Sequence, residues 1–383
     1  MHAQRVVRPP TVLNARAAAF GRRPSAMGLL LSACCLLPAA FHPLPFAPDL
    51  APDPARTGSA ARAPGPGLTA AAQVARAYDQ VLDAEFDRMP SVLAETCGPA
   101  PRVACLGLEA IATWWEILLD PENRNLDARF SAQVETAISE AAAWTGQEPD
   151  RAEAWFYLGA ALGARAQWRV LRNQRLAAAR DGKRIKASLD RALALDPTMH
   201  DAEFGIGMYR YYAAVAPRVL RWLRWLLLLP GGNRAEGLAQ MERAARQGRL
   251  VGSEAAYQLH LVYLWYEQRA PEALALVLDL QARYPRNPLF RQLEAEIKDT
   301  YLHDTAGSLS ASESLLEAVA ANAINRPDLA EVRARVNLAV QLDRLGARDR
   351  ARATLDALLA RAPDAPVDAV ARARRLQRAW TPR

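Results

Sequence analysis

Residues 332–365 read VRARVNLAVQLDRLGARDRARATLDALLARAPDA, and the spacing of their apolar positions decides the fold. Leu338, Ala339 and Leu342 recur at the three- and four-residue intervals of one helix face, and Ala351, Leu355 and Leu358 do so again after Gly346. Gly346 marks a turn between two helices. Pro363 stops the second, because proline has no backbone N–H to give and its ring clashes with the preceding turn. Small residues such as Ala339 and Ala351 let the two rods approach closely. The pattern predicts an antiparallel helix pair.

The same layout recurs toward the N-terminus. Residues 254–287 carry it as Leu259, Tyr263, Ala273, Val277, Leu280 and Pro285, one residue shorter in the turn. Residues 152–199 carry it as Trp155, Leu158, Gly159, Leu162, Ile185, Leu189, Ala192 and Pro197. Trp155 and Pro197 are 42 residues apart, whereas the equivalent Arg335 and Pro363 are 28 apart. The excess is about four helical turns, predicted as two turns added to each helix. A distorted unit spans 201–250, starting DAEFGIGMYRYY and resuming at Asn233, and weaker pairs occupy 106–148 and 288–324. Earlier still, Val74, Tyr78, Val81, Leu82 and Phe86 mark one more helix face. From Thr69 onward no alternating strand pattern of useful length appears.

These registers resemble the tetratricopeptide-repeat family over roughly residues 105–365, most closely in the last repeat and at Trp155–Gly159. The unit DAEFGIGMYRYY…LPGGNRAEGL also resembles, loosely, the outer-membrane Iml-type branch of that family and its exported bacterial relatives. The resemblance implies an all-α protein: a right-handed α-solenoid of tetratricopeptide-like hairpins, one or two of them elongated or inserted. It divides the folded part into an N-terminal helical region, 69–150, and repeats over 151–378, at about 152–199, 201–250, 254–287, 288–324 and 332–365. In this family each repeat touches only its neighbours, and first helices line a concave groove that binds peptides or proteins. Mapped here, the groove positions include Phe156, Phe204, Met208, Tyr211, Tyr212, Tyr257, Leu261 and Trp265. Aromatic side chains of this kind make good binding anchors. The competing reading is that long helices or a neighbouring segment cover them as core.

Ala213–Pro230 (AAVAPRVLRWLRWLLLLP) is the most distinctive segment. Arg218, Arg221 and Arg224 are three apart, Trp222 and Trp225 lie among them, and leucines follow. Three arginines argue against a spanning helix. The segment fits a hairpin arm buried on its leucine face, a membrane interface, or an anionic partner.

The first 33 residues hold five arginines and no acid, and Ala26–Ala40 is a short apolar run. That is the layout of a secretory signal. Leu31-Ser32-Ala33-Cys34 looks like a bacterial lipobox, which makes Cys34 the expected lipidation site. The plainer alternative is cleavage after Ala39 or Ala40, and Met27 competes with Met1 as the start. Residues 34–68 then form a predicted disordered tether, with eight prolines between 36 and 68. The sequence so predicts an exported protein on the periplasmic face of the cell envelope, an outer-membrane lipoprotein or a soluble periplasmic protein.

Without the leader's arginines the net charge falls from +7 to +2, so the basic balance says nothing for nucleic-acid binding. Cys97 and Cys105 flank a proline-containing turn and are expected to form a disulfide in an exported protein. No metal-ligand spacing, H-E-x-x-H, G-x-S-x-G or phosphate loop is present. Trp114 and Trp115 read as core, His260 as core or groove edge, and Gly205-x-Gly207 as close helix packing. The expected function is a non-catalytic, lipid-anchored scaffold without cofactor, binding a protein or peptide through its concave face. The alternative is a membrane-surface protein using the 213–230 arm.

Overall fold

The computed structural model describes residues 67–215, 231–360 and 367–380. The leader, Cys34, nearly all of the tether, and the arm residues Arg218, Arg221, Trp222, Arg224 and Trp225 lie outside the described residues. Within them the chain is all helix, with fifteen α-helices and no strand.

Two short helices, α1 (Ala71–Leu82) and α2 (Met89–Thr96), lead into successive antiparallel pairs. These are α3 (Arg102–Leu119) with α4 (Asp127–Gln147), α5 (Ala152–Leu171) with α6 (Arg175–Leu195), and α7 (His200–Val215) with α8 (Arg234–Gln247). Then come α9 (Gly252–Val262) with α10 (Ala270–Arg283), α11 (Pro288–Thr300) with α12 (Thr305–Ala320), and α13 (Pro327–Arg344) with α14 (Arg348–Leu359). α15 (Val367–Trp380) packs on the last pair. Each helix packs on the next, and α1, α3, α5 and α7 pack in series as next-but-one neighbours. α5 and α6 have 20 and 21 residues against 11 and 14 in α9 and α10. α9 runs on into one π-helical turn, Tyr263–Glu267, which the apolar periodicity did not reveal.

Local chemistry sets the boundaries. The side chains of Asn233, Asn287 and Asp304 accept N–H groups of the first turn of α8, α11 and α12. Gly346 takes φ +83° between α13 and α14, a conformation that costs a residue with a Cβ. The close approach predicted at Gly205-x-Gly207 is present. A Cβ on Gly207 would lie 2.7 Å from the Gly237 carbonyl of α8, and a Cβ on Gly237 would lie 2.6 Å from the Tyr211 nitrogen.

Nearest-neighbour contact alone does not describe the fold. α1 and α3 pack across the middle of the array and bind helices two hundred residues away. Tyr78 donates to Glu254 at 3.1 Å, and Tyr284 donates to Asp79 at 2.8 Å. Asn287 and Asn325 donate to the carbonyls of Leu82 and Asp83, at 2.6 and 2.9 Å, capping the C-terminal end of α1. The Trp115 ring lies 5.0 Å from Tyr257 and 6.1 Å from Phe290. Arg326 pairs with Glu116 at 3.0 Å, and Arg333 with Asp120 at 2.8 Å. The physical reason is that α1 and α3 are apolar on wide faces: Val74, Tyr78, Val81 and Leu82, then Trp114, Trp115, Leu118 and Leu119, are all buried.

Cys97 and Cys105 form a disulfide across the α2–α3 turn, eight residues apart. Replacing both by serine should lower unfolding free energy by about 2.5 kcal/mol, the loop-closure value for so short a ring. Urea unfolding measures it, and an unchanged midpoint would show that the bond contributes nothing. Gly237→Ala forces α7 and α8 apart and should cost about 1–3 kcal/mol, outweighing any helix-propensity gain. Gly107→Ala, whose Cβ would meet open space, should instead hold or gain stability in the same measurement.

Candidate ligand cavity

The helix packing leaves a partly open cavity of about 370 Å³ in the array, walled by α1, α3, α4, α5, α6, α7 and α9. Its lining is overwhelmingly apolar. On α5 the lining runs from Phe156 to Val170, on α6 from Arg175 to Leu189, and on α7 from Asp201 to Ala213. At 1.5 Å per residue these stripes extend about 20 Å, so the space is long rather than round. It exists because the facing helices present small residues. Gly107, Gly163 and Gly182, on α3, α5 and α6, line it, and an added Cβ at each would meet nothing within 4 Å.

Six of the eight residues mapped to the concave face line this cavity: Phe156, Phe204, Met208, Tyr212, Tyr257 and Leu261. Phe156, Tyr257 and Leu261 are buried, whereas Phe204, Met208 and Tyr212 are half-buried. Tyr211 and Trp265 lie outside the lining. Tyr211 is fully buried and hydrogen-bonds Glu267, which also holds Arg234 at 2.7 Å. Trp265 sits in the π-helical turn and donates to Tyr301 at 2.9 Å. Trp114, Trp115 and His260 are core residues with at most 1% exposure.

A hydrogen-bonded polar cluster interrupts the apolar wall, which Arg175 and Asp201 also line. Glu254 and Gln258 stand one turn apart on α9; Gln167 comes from α5 and Tyr78 from α1. Gln258 donates to Gln167 at 2.8 Å and to Glu254 at 3.3 Å, and Tyr78 donates to the other carboxyl oxygen of Glu254. The other buried carboxylates have cations or several N–H donors. Glu153 binds Arg151 at 2.7 Å, Asp181 binds Arg165 and Arg169 at 2.6 Å, and Asp201 accepts three backbone N–H groups. Glu254 is 4% exposed and, among the described residues, is held only by neutral groups. Burial raises its pKa above the ordinary carboxyl range, against the opposing hydrogen bonds from Gln258 and Tyr78, and favours the uncharged acid.

Glu254 and Gln258 stand out in the apolar run GSEAAYQLHLVYL, and that was the available signal. Nothing local links them to Gln167 or Tyr78, which are 91 and 176 residues away. Among the described residues no group of His, Cys, Asp and Glu is placed to hold a metal ion. The arrangement can hold an apolar molecule and offer it one hydrogen-bonding cluster without a cation. No family model matches the chain, and no curated protein matches it.

Two buried groups give stability opposite pH dependences. Above about pH 4.5 the unfolded chain releases the Glu254 proton, while burial makes the folded chain hold it to higher pH, so folding weakens as pH rises through that window. Glu254→Gln should therefore raise the melting temperature at pH 7.5, with the gain closing toward pH 4. Burial lowers the His260 pKa to about 4, so the unfolded chain protonates first as pH falls below 6.5. The His260 contribution alone should fall by about 3 kcal/mol between pH 6.5 and 4, offset in part by Glu254, and His260→Leu should remove that loss from the profile. Melting curves across pH check both signs.

Proposed function

We propose that this protein is an exported, membrane-tethered, non-catalytic binding protein, built as a right-handed superhelix of tetratricopeptide-like hairpins, whose binding site is its interior cavity. The cavity itself carries the reading: most of the side chains that would face an open groove line a partly open apolar space under α1 and α3. A volume of this size suits a small molecule. An extended peptide would bring backbone N–H and C=O groups that each need a partner, and this wall offers few. The outer surface is a poorer candidate, since Leu278 and Leu345 are the exposed large hydrophobics among the described residues.

The disulfide, the arginine-rich acid-free leader and the lipobox-like Leu31–Cys34 support export and a lipid anchor at Cys34, on the periplasmic face of the envelope. A tether of residues 34–68 would hold the folded part off the membrane.

Titration of the mature chain with the apolar fluorophore N-phenyl-1-naphthylamine tests the site. Emission should rise and shift to the blue with one dye per chain. Gly163→Leu combined with Gly182→Leu fills open space in the cavity and improves helix propensity. That variant should melt at or above the parent temperature and lose at least tenfold in dye affinity. Unchanged affinity in the folded variant would place binding elsewhere.

A further inference from the structure

The polar cluster identifies the class of ligand, granted the interior site argued above. We infer that the cavity holds a single-chain amphiphile with an uncharged hydrogen-bonding end group, a hydroxyl, ester or amide, and that Glu254 binds that group.

Three observations converge. The cavity is long, with apolar stripes along four helices, α3, α5, α6 and α7, which suits a linear chain better than a fused ring system. Each methylene of such a chain contributes about 0.8 kcal/mol on leaving water, so length supplies affinity without polar contacts. The lining then places Glu254, Gln258, Gln167 and Tyr78 in one hydrogen-bonded group. Both kinds of hydrogen-bonding atom are present there: the Gln167 and Gln258 amides and the Tyr78 hydroxyl each donate and accept, and the carboxyl accepts in either protonation state. Finally, no cation completes the carboxyl among the described residues, whereas the buried Glu153 and Asp181 are each matched by arginine. Arg175 and Asp201 line the cavity elsewhere, but no cation stands in this cluster, so it offers a charged end no ready counter-ion other than Glu254 itself, and a buried unpaired ion costs far more than a buried hydroxyl.

The chemistry of each alternative differs at the same atoms. An ammonium end would need Glu254 ionised and would pair with it. A carboxylate or phosphate end would be repelled by an ionised Glu254 and would turn instead to Arg175, which lines the cavity at the start of α6.

Displacement of N-phenyl-1-naphthylamine by 1-decanol, decane, decylamine and decanoate separates these cases. Decanol should displace the dye most effectively. Glu254→Leu should weaken decanol about tenfold, the loss expected for one hydrogen bond to a buried group, and leave decane unchanged. Glu254→Gln, which keeps a neutral hydrogen-bonding side chain, should stay within about threefold of the parent for decanol. Decane binding reports that the cavity is intact in each variant. Tightest binding of decylamine, lost in Glu254→Gln, would overturn the inference in favour of a cationic ligand. Tightest binding of decanoate, lost in Arg175→Ala, would overturn it in favour of an anionic one. Equal displacement by all four, with Glu254→Leu silent, would remove Glu254 from recognition yet leave the apolar site standing. Failure of the dye to bind at all would remove both.

Discussion

The amide of Asn287 joins the two ends of the architecture. Its oxygen accepts the Leu289 N–H and starts α11, while its nitrogen donates to the Leu82 carbonyl and finishes α1. The residue has no solvent exposure, so neither bond can be exchanged for water. One side chain thereby fixes where a helix near residue 80 meets a helix near residue 290. Tyr284–Asp79 and Tyr78–Glu254 repeat the connection on either side. A stack of hairpins held only by neighbours is quasi-one-dimensional, and its ends can fray separately. Here the cost of closing a loop of some two hundred residues grows only with the logarithm of its length, so a modest set of buried bonds suffices to close it. The middle of the chain then folds against its own beginning.

That closure creates the cavity as much as it buries the core. α1 and α3 bring Tyr78, Val103, Leu108 and Trp114 over the faces of α5, α7 and α9 that would otherwise meet solvent. Large residues facing them would have filled the space. Glycine and alanine occupy the middle of the wall instead, and interiors normally leave few voids larger than a water molecule. Elsewhere in the same hairpins glycine does the reverse. Gly207 and Gly237 let α7 and α8 touch backbone to backbone, and Gly159 and Gly205 seat the two methyl groups of Leu189. The same residue type closes one gap and holds another open, and the difference lies in what the facing helix presents.

This difference marks how far the sequence could be read. Hairpin limits were legible because they rest on local matters: an apolar stripe at helical spacing, Gly346 in its turn, the extra turns between Trp155 and Pro197. The burial of Trp114 and Trp115 followed from the same stripes, and His260, legible only as core or groove edge, is core. The closure was not legible, since Asn287 resembles any helix-starting asparagine and nothing near it names Leu82. Six of the residues mapped to a concave face do share one wall, but the pattern could not tell an open wall from a covered one. The π-helical turn at Tyr263–Glu267 was hidden for a different reason. It shifts the register by a single residue, and the apolar spacing tolerates that.

Glu254 is where the fold departs most from its own habits. Asp181 sits between two arginines, Glu153 beside Arg151 and Thr69, Asp201 under three backbone N–H groups. Each is a carboxylate whose charge is used to hold structure. The chain has 45 arginines and could have supplied one more. At Glu254 it supplies a tyrosine and two glutamines, which stabilise a carboxyl without fixing its charge. A purely structural role is better served by an apolar residue of similar size, because burying a carboxyl costs free energy that its hydrogen bonds at best offset. A carboxyl without a cation beside unfilled space can still accept from a further donor, and the cavity is the place where a ligand can reach it.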